Sequence, residues 1–189
     1  MNVAERMGRL GTESAFEVLA RARALERQGR EVVHLEIGEP DFDTPAHIKE
    51  AAKRALDANA THYGPSAGLP ELREAIAAKT LRDSGVECAA GQVLVTNGGK
   101  HAVFTAFAAL CDPGDEVLVP APYWTTYPEA IALAGGVPVV IDTTEATGFQ
   151  VTIDQLDAAW TPRTKVLLFV SPDNPSGAVC PRCASAGHS

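Results

Sequence analysis

The sequence predicts an α/β protein whose parallel sheet is covered by helices on both faces. From residue 93 onward, short apolar runs with few polar interruptions alternate with segments of helical periodicity. Strands that are buried on both faces have this composition, and the segments between them are long enough to form right-handed crossover helices. Turns rich in glycine and proline separate the two kinds of segment.

The N-terminal part predicts three helices. Apolar residues between Ala15 and Leu25 recur at intervals of three and four residues, which is the spacing of an amphipathic helix. Thr44 and Pro45 provide a cap and a first helical position for a second helix, and Pro70 opens a third. The predicted helices cover residues 12–28, 45–58 and 70–85.

The C-terminal part predicts four strands and three helices. The strands are expected at 93–96, 116–119, 137–141 and 165–170, where apolar runs lie between turn signals. The helices between them are expected after Lys100, over 123–134 and from Thr152 through Trp160. This order of elements is typical of an open α/β sheet.

Composition and charge limit the classes of function. The 189 residues include 16 basic and 24 acidic side chains, a net charge of −8 with no basic face. This argues against nucleic-acid binding and favours small-molecule partners. No apolar run could cross a bilayer, and the N-terminus lacks the apolar core of a signal peptide, so we expect a cytoplasmic protein. The four cysteines of such a chain are expected to be free thiols.

A strand-to-helix turn provides the strongest local signal. Gly98, Gly99 and Lys100 follow an apolar run and precede a helix. Glycines at this position let backbone N–H groups approach a phosphate at the positive end of the helix. A tight turn without a ligand is an equally good interpretation of these residues alone.

Two further strand ends carry residues suited to a flat ring. Trp124 follows one predicted strand, where its indole could lie against an aromatic ligand, or simply pack in the core. Asn174 follows another, where its amide could bind a ring hydroxyl, or merely form an Asn-Pro turn. Because ligands of open α/β sheets gather at the carboxyl ends of strands, the three sites together indicate one phosphorylated aromatic ligand.

Residues 6–179 resemble the class I pyridoxal-phosphate-dependent aminotransferases of fold type I, in the aspartate-aminotransferase-like branch. The resemblance implies part of a three-layer α/β/α large domain with an incomplete sheet. It is carried by Gly38-Glu39-Pro40-Asp41-Phe42, His62-Tyr63-Gly64-Pro65, Gly98-Gly99-Lys100, Pro122-Tyr123-Trp124 and Asn174-Pro175-Ser176-Gly177.

The resemblance implies roles for these residues in binding pyridoxal 5'-phosphate. Gly98, Gly99 and Lys100 would hold the cofactor phosphate, Trp124 would stack on the pyridine ring, and Asn174 would bond the ring's 3-hydroxyl oxygen. Trp124 and Asn174 would also border the substrate.

The resemblance extends to the substrate and to the assembly. Gly38 would offer its backbone near the substrate carboxylate. Tyr63 would reach the phosphate in a neighbouring subunit, so the complete enzyme is expected to be a homodimer. It would transfer an amino group between an amino acid and a 2-oxo acid.

The catalytic Schiff-base lysine of the family is expected to be absent from this chain. In the family it lies in a Ser-Lys setting ahead of a Gly-x-Arg element, and no stretch of the sequence matches. Lys49, Lys53 and Lys79 are assigned to polar helix faces, Lys165 lies at the amino-terminal end of its strand, away from the expected site, and Lys100 suits charge neutralisation. We therefore expect a truncated, inactive aminotransferase. The alternative is a non-catalytic fragment that binds an intact homologue through the Tyr63 region.

The resemblance and the composition divide the chain into three parts. Residues 1–44 are expected to form an N-terminal arm and part of a small domain, and residues 45–179 part of the cofactor-binding large domain. Residues 180–189 look unrelated and disordered, as a shifted reading frame would produce. A zinc or redox site formed by Cys180, Cys183 and His188 is the alternative for this tail.

Overall fold

The computed structural model describes residues 3–11 and 14–180. The chain divides into two compact units, one formed by Ser14–Asn97 and the other by Met1–Glu13 with Gly98–Ser189. The expected disorder of the tail, and the zinc or redox alternative at Cys183 and His188, lie outside the described residues. Within them, Cys88, Cys111 and Cys180 are free thiols.

The Ser14–Asn97 unit contains the three predicted helices. These are α1 (Ser14–Glu26), α2 (Ala46–Asp57) and α3 (Pro70–Ser84). Pro70 occupies the first turn of α3, where its missing N–H costs nothing, and Gly85 ends the helix with a φ of +71°. A short 3-10 helix follows at Ala90–Gln92.

The strand predicted at 93–96 is wrong. Val93–Thr96 pairs with no strand among the described residues, although Val95 donates its N–H to the carbonyl of Ala67 at 3.0 Å. Arg73 donates its Nε to the carbonyl of Val93 at 2.9 Å. A strand requires a neighbour that completes its ladder, and single contacts of this kind do not replace one.

The other compact unit is built on a parallel sheet. Its strands are β1 (Glu116–Ala121), β2 (Val137–Asp142) and β3 (Thr164–Leu167), in the order β2-β1-β3. Both pairs are parallel, as predicted for an α/β fold. The helices are α4 (Gly99–Leu110), α5 (Thr126–Ala134) and α6 (Ile153–Ala159). A 3-10 turn at Glu5–Arg9 also belongs to this unit.

Helices cover both faces of this sheet. Val117 and Val119 of β1 pack in one apolar cluster with residues of α4 and α5, and Leu118 packs on the other face with Leu156 of α6. All three β1 side chains are completely buried. Side chains alternate between the faces of a strand, so a central strand with a helical layer on each side must be continuously apolar.

A polar cluster fixes the amino-terminal ends of β1 and β3. The carboxylate of Glu116, only 4% exposed, accepts a hydrogen bond from Thr161 Oγ1 at 2.6 Å and pairs with Arg163. The bond from Thr161 holds the pKa of Glu116 below its ordinary value, and Arg163 lowers this pKa further. Thr164 lies opposite Glu116 and Val166 opposite Val117, so Lys165 is the extra residue of a β-bulge.

Candidate functional site

The loops that follow β1 and β3 meet at one edge of the sheet. Both strands run parallel, so their carboxyl ends point in the same direction. A narrow cavity of about 50 Å³ lies there, lined by Pro122 and Tyr123 after β1 and by Phe169 and Asp173 after β3. The edge chosen from the sequence is therefore the edge at which these loops converge.

The N-terminus of α4 is shaped for close approach to its backbone. Gly98 precedes the helix with a φ of +83°, a conformation that favours glycine. No heavy atom lies within 4 Å of the position that a Cβ would take at Gly98 or Gly99. Side chains would fill this space, and without them an anion can approach the positive end of a 12-residue helix.

The structure brings Lys100 of α4 to Trp124 of the β1 loop. The Lys100 Nζ lies 5.3 Å from the centre of the indole ring, a cation–π distance. Tyr127 meets the indole edge to face, with ring centres 5.5 Å apart and planes at 87°. The half-buried indole therefore contacts one aromatic ring and lies beside the N-terminus of α4.

Asn174 lies in the turn after β3, and its side chain is exposed. The preceding Asp173 is half-buried and lines the cavity together with Tyr127. Burial raises the pKa of the Tyr127 hydroxyl, and the Asp173 carboxylate raises this pKa further. The peptide bonds before Pro122, Pro172 and Pro175 are cis.

Gly38 and Tyr63 belong to the Ser14–Asn97 unit, and both are exposed there. Their roles near the substrate and across a subunit interface stay predictions. Leu35 and Phe42, which lie on either side of Gly38 in the sequence, are exposed to 88% and 86%. This part of the unit therefore presents several apolar side chains on its surface.

A second cavity, of about 320 Å³, lies between the N-terminal segment and α5. Lys100, Phe104 and Glu129 are among its lining residues. The N–H of Gly11 donates to both oxygens of Glu129, at 3.0 and 2.9 Å. A Cβ at Gly11 would lie 2.9 Å from Glu129 Oε1, so glycine permits this contact.

The five lysines of the chain differ in their surroundings. Lys53 pairs with Glu50 and Lys79 with Asp83, both at 2.8 Å on exposed helix faces, and Lys49 is also exposed.

Lys165 and Lys100 belong to the unit that contains the sheet. Lys165 lies at the amino-terminal end of β3, where its hydrogen bond to Asp115 raises its pKa and keeps it protonated. Lys100 lies over the Trp124 indole at the N-terminus of α4.

Two residues of the site were missed from the sequence. Tyr127 touches Trp124, and the three-residue spacing on a helical turn is the signal that could have identified the pair. Asp173 bonds Ser176 three residues later, which is a typical turn pattern of aspartate. Among the described residues, no group of three His, Cys, Asp or Glu side chains could hold a metal ion. No helix in this part of the chain is long and apolar enough to span a membrane.

The residues present fit the phosphate and ring portions of pyridoxal phosphate. The open glycine backbone at the start of α4 and the adjacent Lys100 ammonium suit a phosphate, and the Trp124 indole suits a pyridine ring.

The chain is similar to aspartate aminotransferases along nearly its whole length. It is 59% identical over 181 residues to the aspartate aminotransferase of Streptomyces avermitilis, covering 95% of this chain and 44% of the relative. It is 56% identical over 177 residues to the probable aspartate aminotransferase of Streptomyces griseus, covering 94% of this chain and 83% of that relative.

Solved structures have the same fold. The aspartate aminotransferase of Thermus thermophilus with maleate superposes with a TM-score of 0.91 at 47% identity, over 96% of this chain and 48% of that one. The chain thus spans less than half the length of the Streptomyces avermitilis and Thermus thermophilus proteins. The family model of class I and II aminotransferases matches residues 30–184. The chain therefore belongs to the class I and II aminotransferase family.

Proposed function

We propose that this chain is the N-terminal part of a pyridoxal-phosphate-dependent aminotransferase. The observation that carries the proposal is the position of Lys100 over the Trp124 indole, at the N-terminus of a helix that opens with Gly98 and Gly99. These groups offer a cation, a flat ring and helical N–H groups at one sheet edge. This combination suits a phosphorylated aromatic ligand.

Different residues of the chain would bind the phosphate and the ring of the cofactor. The first N–H groups of α4 and the Lys100 ammonium would bind the phosphate, and the Trp124 indole would exclude water from one face of the ring. The Asn174 amide would orient the ring by donating a hydrogen bond to its hydroxyl oxygen. Pyridoxal phosphate, when bound, supplies an electron sink that stabilises negative charge at the Cα of an amino acid.

We further propose that the complete enzyme transfers an amino group between an amino acid and a 2-oxo acid in the cytoplasm, as a homodimer. The similarity to an aspartate aminotransferase and a probable aspartate aminotransferase of two Streptomyces species favours aspartate as the amino acid. Residues 45–179 would belong to the cofactor-binding large domain and residues 1–44 to an N-terminal arm and part of a small domain. Gly38 would border the substrate carboxylate, and Tyr63 would reach the partner's phosphate.

By itself, the 189-residue polypeptide is proposed to lack transaminase activity. Moving a proton between the substrate and the cofactor requires an amine at the ring's aldehyde carbon. Lys53, Lys79 and Lys165 are engaged by carboxylates, and Lys100 lies at the phosphate end. The chain would therefore bind the phosphate and the ring of the cofactor without catalysing transamination.

Exposed apolar side chains favour a second candidate function. Leu35, Phe42 and Tyr63 are all strongly exposed in the Ser14–Asn97 unit, and such residues often mark a partner surface. The chain would then bind an intact homologue. Mixing the chain with an intact aminotransferase of this family and analysing the mixture by size-exclusion chromatography tests this function. Co-elution is the expected result, and separate elution at micromolar concentrations would reject it.

Ligand binding tests the main proposal. Pyridoxamine phosphate carries the phosphate and the ring but no aldehyde, so it cannot react with surface lysines. We expect it to quench the emission of Trp124 saturably, because the ring stacks on the indole. Trp124→Phe removes the quenching. Trp160→Phe is the matched control, since Trp160 follows α6 and is 60% exposed, and this variant keeps the quenching.

Pyridoxamine without phosphate provides the second control. It loses the contacts to the N-terminus of α4 and to Lys100, and should bind at least about tenfold more weakly. Equal affinity for the two ligands, or unchanged quenching in Trp124→Phe, would contradict the proposed site.

A further inference from the structure

The turn that presents Asn174 is organised by its neighbour. We infer that Asp173 is a positioning residue, whose carboxylate holds the 173–178 turn in the conformation that offers the Asn174 amide to a ring hydroxyl. The inference rests on the proposed function, because it concerns how that site recognises its ligand. The contacts that carry it lie within the turn and on the cavity beneath it.

The Asp173 carboxylate binds two donors from one residue. Its Oδ2 accepts the N–H of Ser176 at 3.1 Å and the Ser176 hydroxyl at 2.6 Å. The second distance is that of a charge-assisted bond, which is stronger than a bond between neutral groups. One carboxylate oxygen therefore closes the loop around Asn174 and Pro175.

The backbone of the turn closes around the same residue. Asp173 donates its N–H to the carbonyl of Ala178 at 2.8 Å, and its own carbonyl accepts the N–H of Gly177 at 2.9 Å. The Ser176 hydroxyl oxygen accepts the N–H of Ala178 at 3.2 Å. Gly177 has a φ of +72°, which the chain reversal requires. Every one of these bonds involves Asp173 or the serine that it holds.

The neighbouring side chains have different environments. Asp173 is half-buried and lines the cavity with Tyr127, whereas Asn174 is exposed at the outside of the turn. Tyr127 in turn meets Trp124 edge to face. Asp173 therefore lies on the same cavity as the ring that supports the indole. It is adjacent to Asn174 in the sequence and lines the cavity that Tyr127 also lines, and it leaves the Asn174 amide available for a ligand.

The chemistry of the carboxylate distinguishes three substitutions. Asp173→Ala removes the acceptor and leaves two donors of Ser176 without it, so the turn loosens. Asp173→Asn keeps a neutral oxygen acceptor of the same reach, so it rescues most of the turn. Ser176→Ala removes the hydroxyl bond but keeps the N–H bond, so its effect is intermediate.

The test compares two ligands that differ only at the ring hydroxyl. Pyridoxamine phosphate and its 3-deoxy analogue are titrated against the full chain while the Trp124 emission is followed. The wild-type chain should prefer the hydroxyl-bearing ligand by about tenfold, the value of one good hydrogen bond. Asp173→Ala should reduce this preference to about twofold or less and leave the affinity for the 3-deoxy analogue within about twofold. Asp173→Asn should retain most of the preference.

Coupling to Asn174 separates positioning from a general structural effect. Asn174→Ala should abolish the same preference, and the double variant with Asp173→Ala should lose nothing further, because both act on one bond. Asp157→Ala on the exposed face of α6 is the matched control and should behave as wild type. Full retention of the hydroxyl preference in Asp173→Ala, while Asn174→Ala loses it, would overturn the inference.

Amide exchange decides the inference without any ligand. The N–H groups of Ser176 and Gly177 should exchange faster in Asp173→Ala than in wild type, and near the wild-type rate in Asp173→Asn. If the wild-type chain binds neither ligand, the proposed function fails. Unchanged exchange in Asp173→Ala would overturn the positioning role in that case as well.

Discussion

At the scale of single residues, the two ends of the sheet differ: glycines leave the backbone accessible at one end, and a buried carboxylate forms an ion pair at the other. Gly98 opens the backbone where a phosphate would bind, while Glu116 is held by Thr161 and Arg163 at the opposite strand ends. Ligand sites of parallel sheets lie at the carboxyl ends of the strands. Residues at the amino-terminal ends are therefore expected to contribute to stability and not to ligand binding. Substitutions at the two ends should therefore have different consequences.

The Glu116 cluster makes stability depend on pH. The pKa of Glu116 is lowered in the folded chain, so its carboxylate stabilises the fold above its unfolded pKa of about 4.3. This stabilisation is lost as the pH falls through the lower, folded value. Glu116→Gln should therefore be less stable than wild type at pH 7, and the difference should shrink as the pH approaches about 3.

Urea midpoints between pH 7 and about 3 measure this effect. Asp157→Asn on α6 serves as a control, because Asp157 is exposed and its midpoint should track that of wild type. A difference between Glu116→Gln and wild type that stays constant with pH would show that the carboxylate charge is not the cause.

At the scale of elements, the helices were predictable because their signals are local. Pro70 and Gly85 mark the ends of α3, and the glycines before Lys100 mark the start of α4. The prediction of a strand at 93–96 was wrong because an apolar run shows only that a segment is able to form a strand, whereas strand pairing depends on a partner distant in the sequence. β3 likewise ends at Leu167, before the predicted end at residue 170, because the extent of its pairing also depends on a neighbouring strand.

The start of α6 provides a test at this scale. Thr152 Oγ1 accepts the N–H of Gln155 at 3.3 Å, and the Gln155 side chain accepts the N–H of Thr152 at 3.0 Å. This capping box satisfies helix N–H groups that would otherwise lack partners. Thr152→Ala should lower the free energy of unfolding by about 1 kcal/mol, measured by urea denaturation. Thr152→Ser keeps the acceptor and should stay close to wild type. Equal losses in both variants would contradict the capping role.

At the scale of the whole molecule, two kinds of site residue differed in how far the sequence revealed them. Gly98, Lys100 and Trp124 belong to continuous motifs, so their identity was readable along the chain. Tyr127 and Asp173 have local signals in the spacing to Trp124 and in the turn to Ser176, but their place on one cavity depends on where the β1 and β3 loops meet. The sequence therefore indicates candidate ligand-binding residues more readily than the residues that would support them.

The proposed site requires that the tips of three segments bind one phosphorylated aromatic ring. Two-dimensional ¹H–¹⁵N NMR of the full chain during titration with pyridoxamine phosphate observes all three segments at once. We expect the largest shifts to occur together at the backbone N–H groups of Gly99 and Lys100, the Trp124 indole N–H and the Asn174 side-chain amide, with one dissociation constant. Shifts confined to other residues, or separate dissociation constants for these groups, would contradict it.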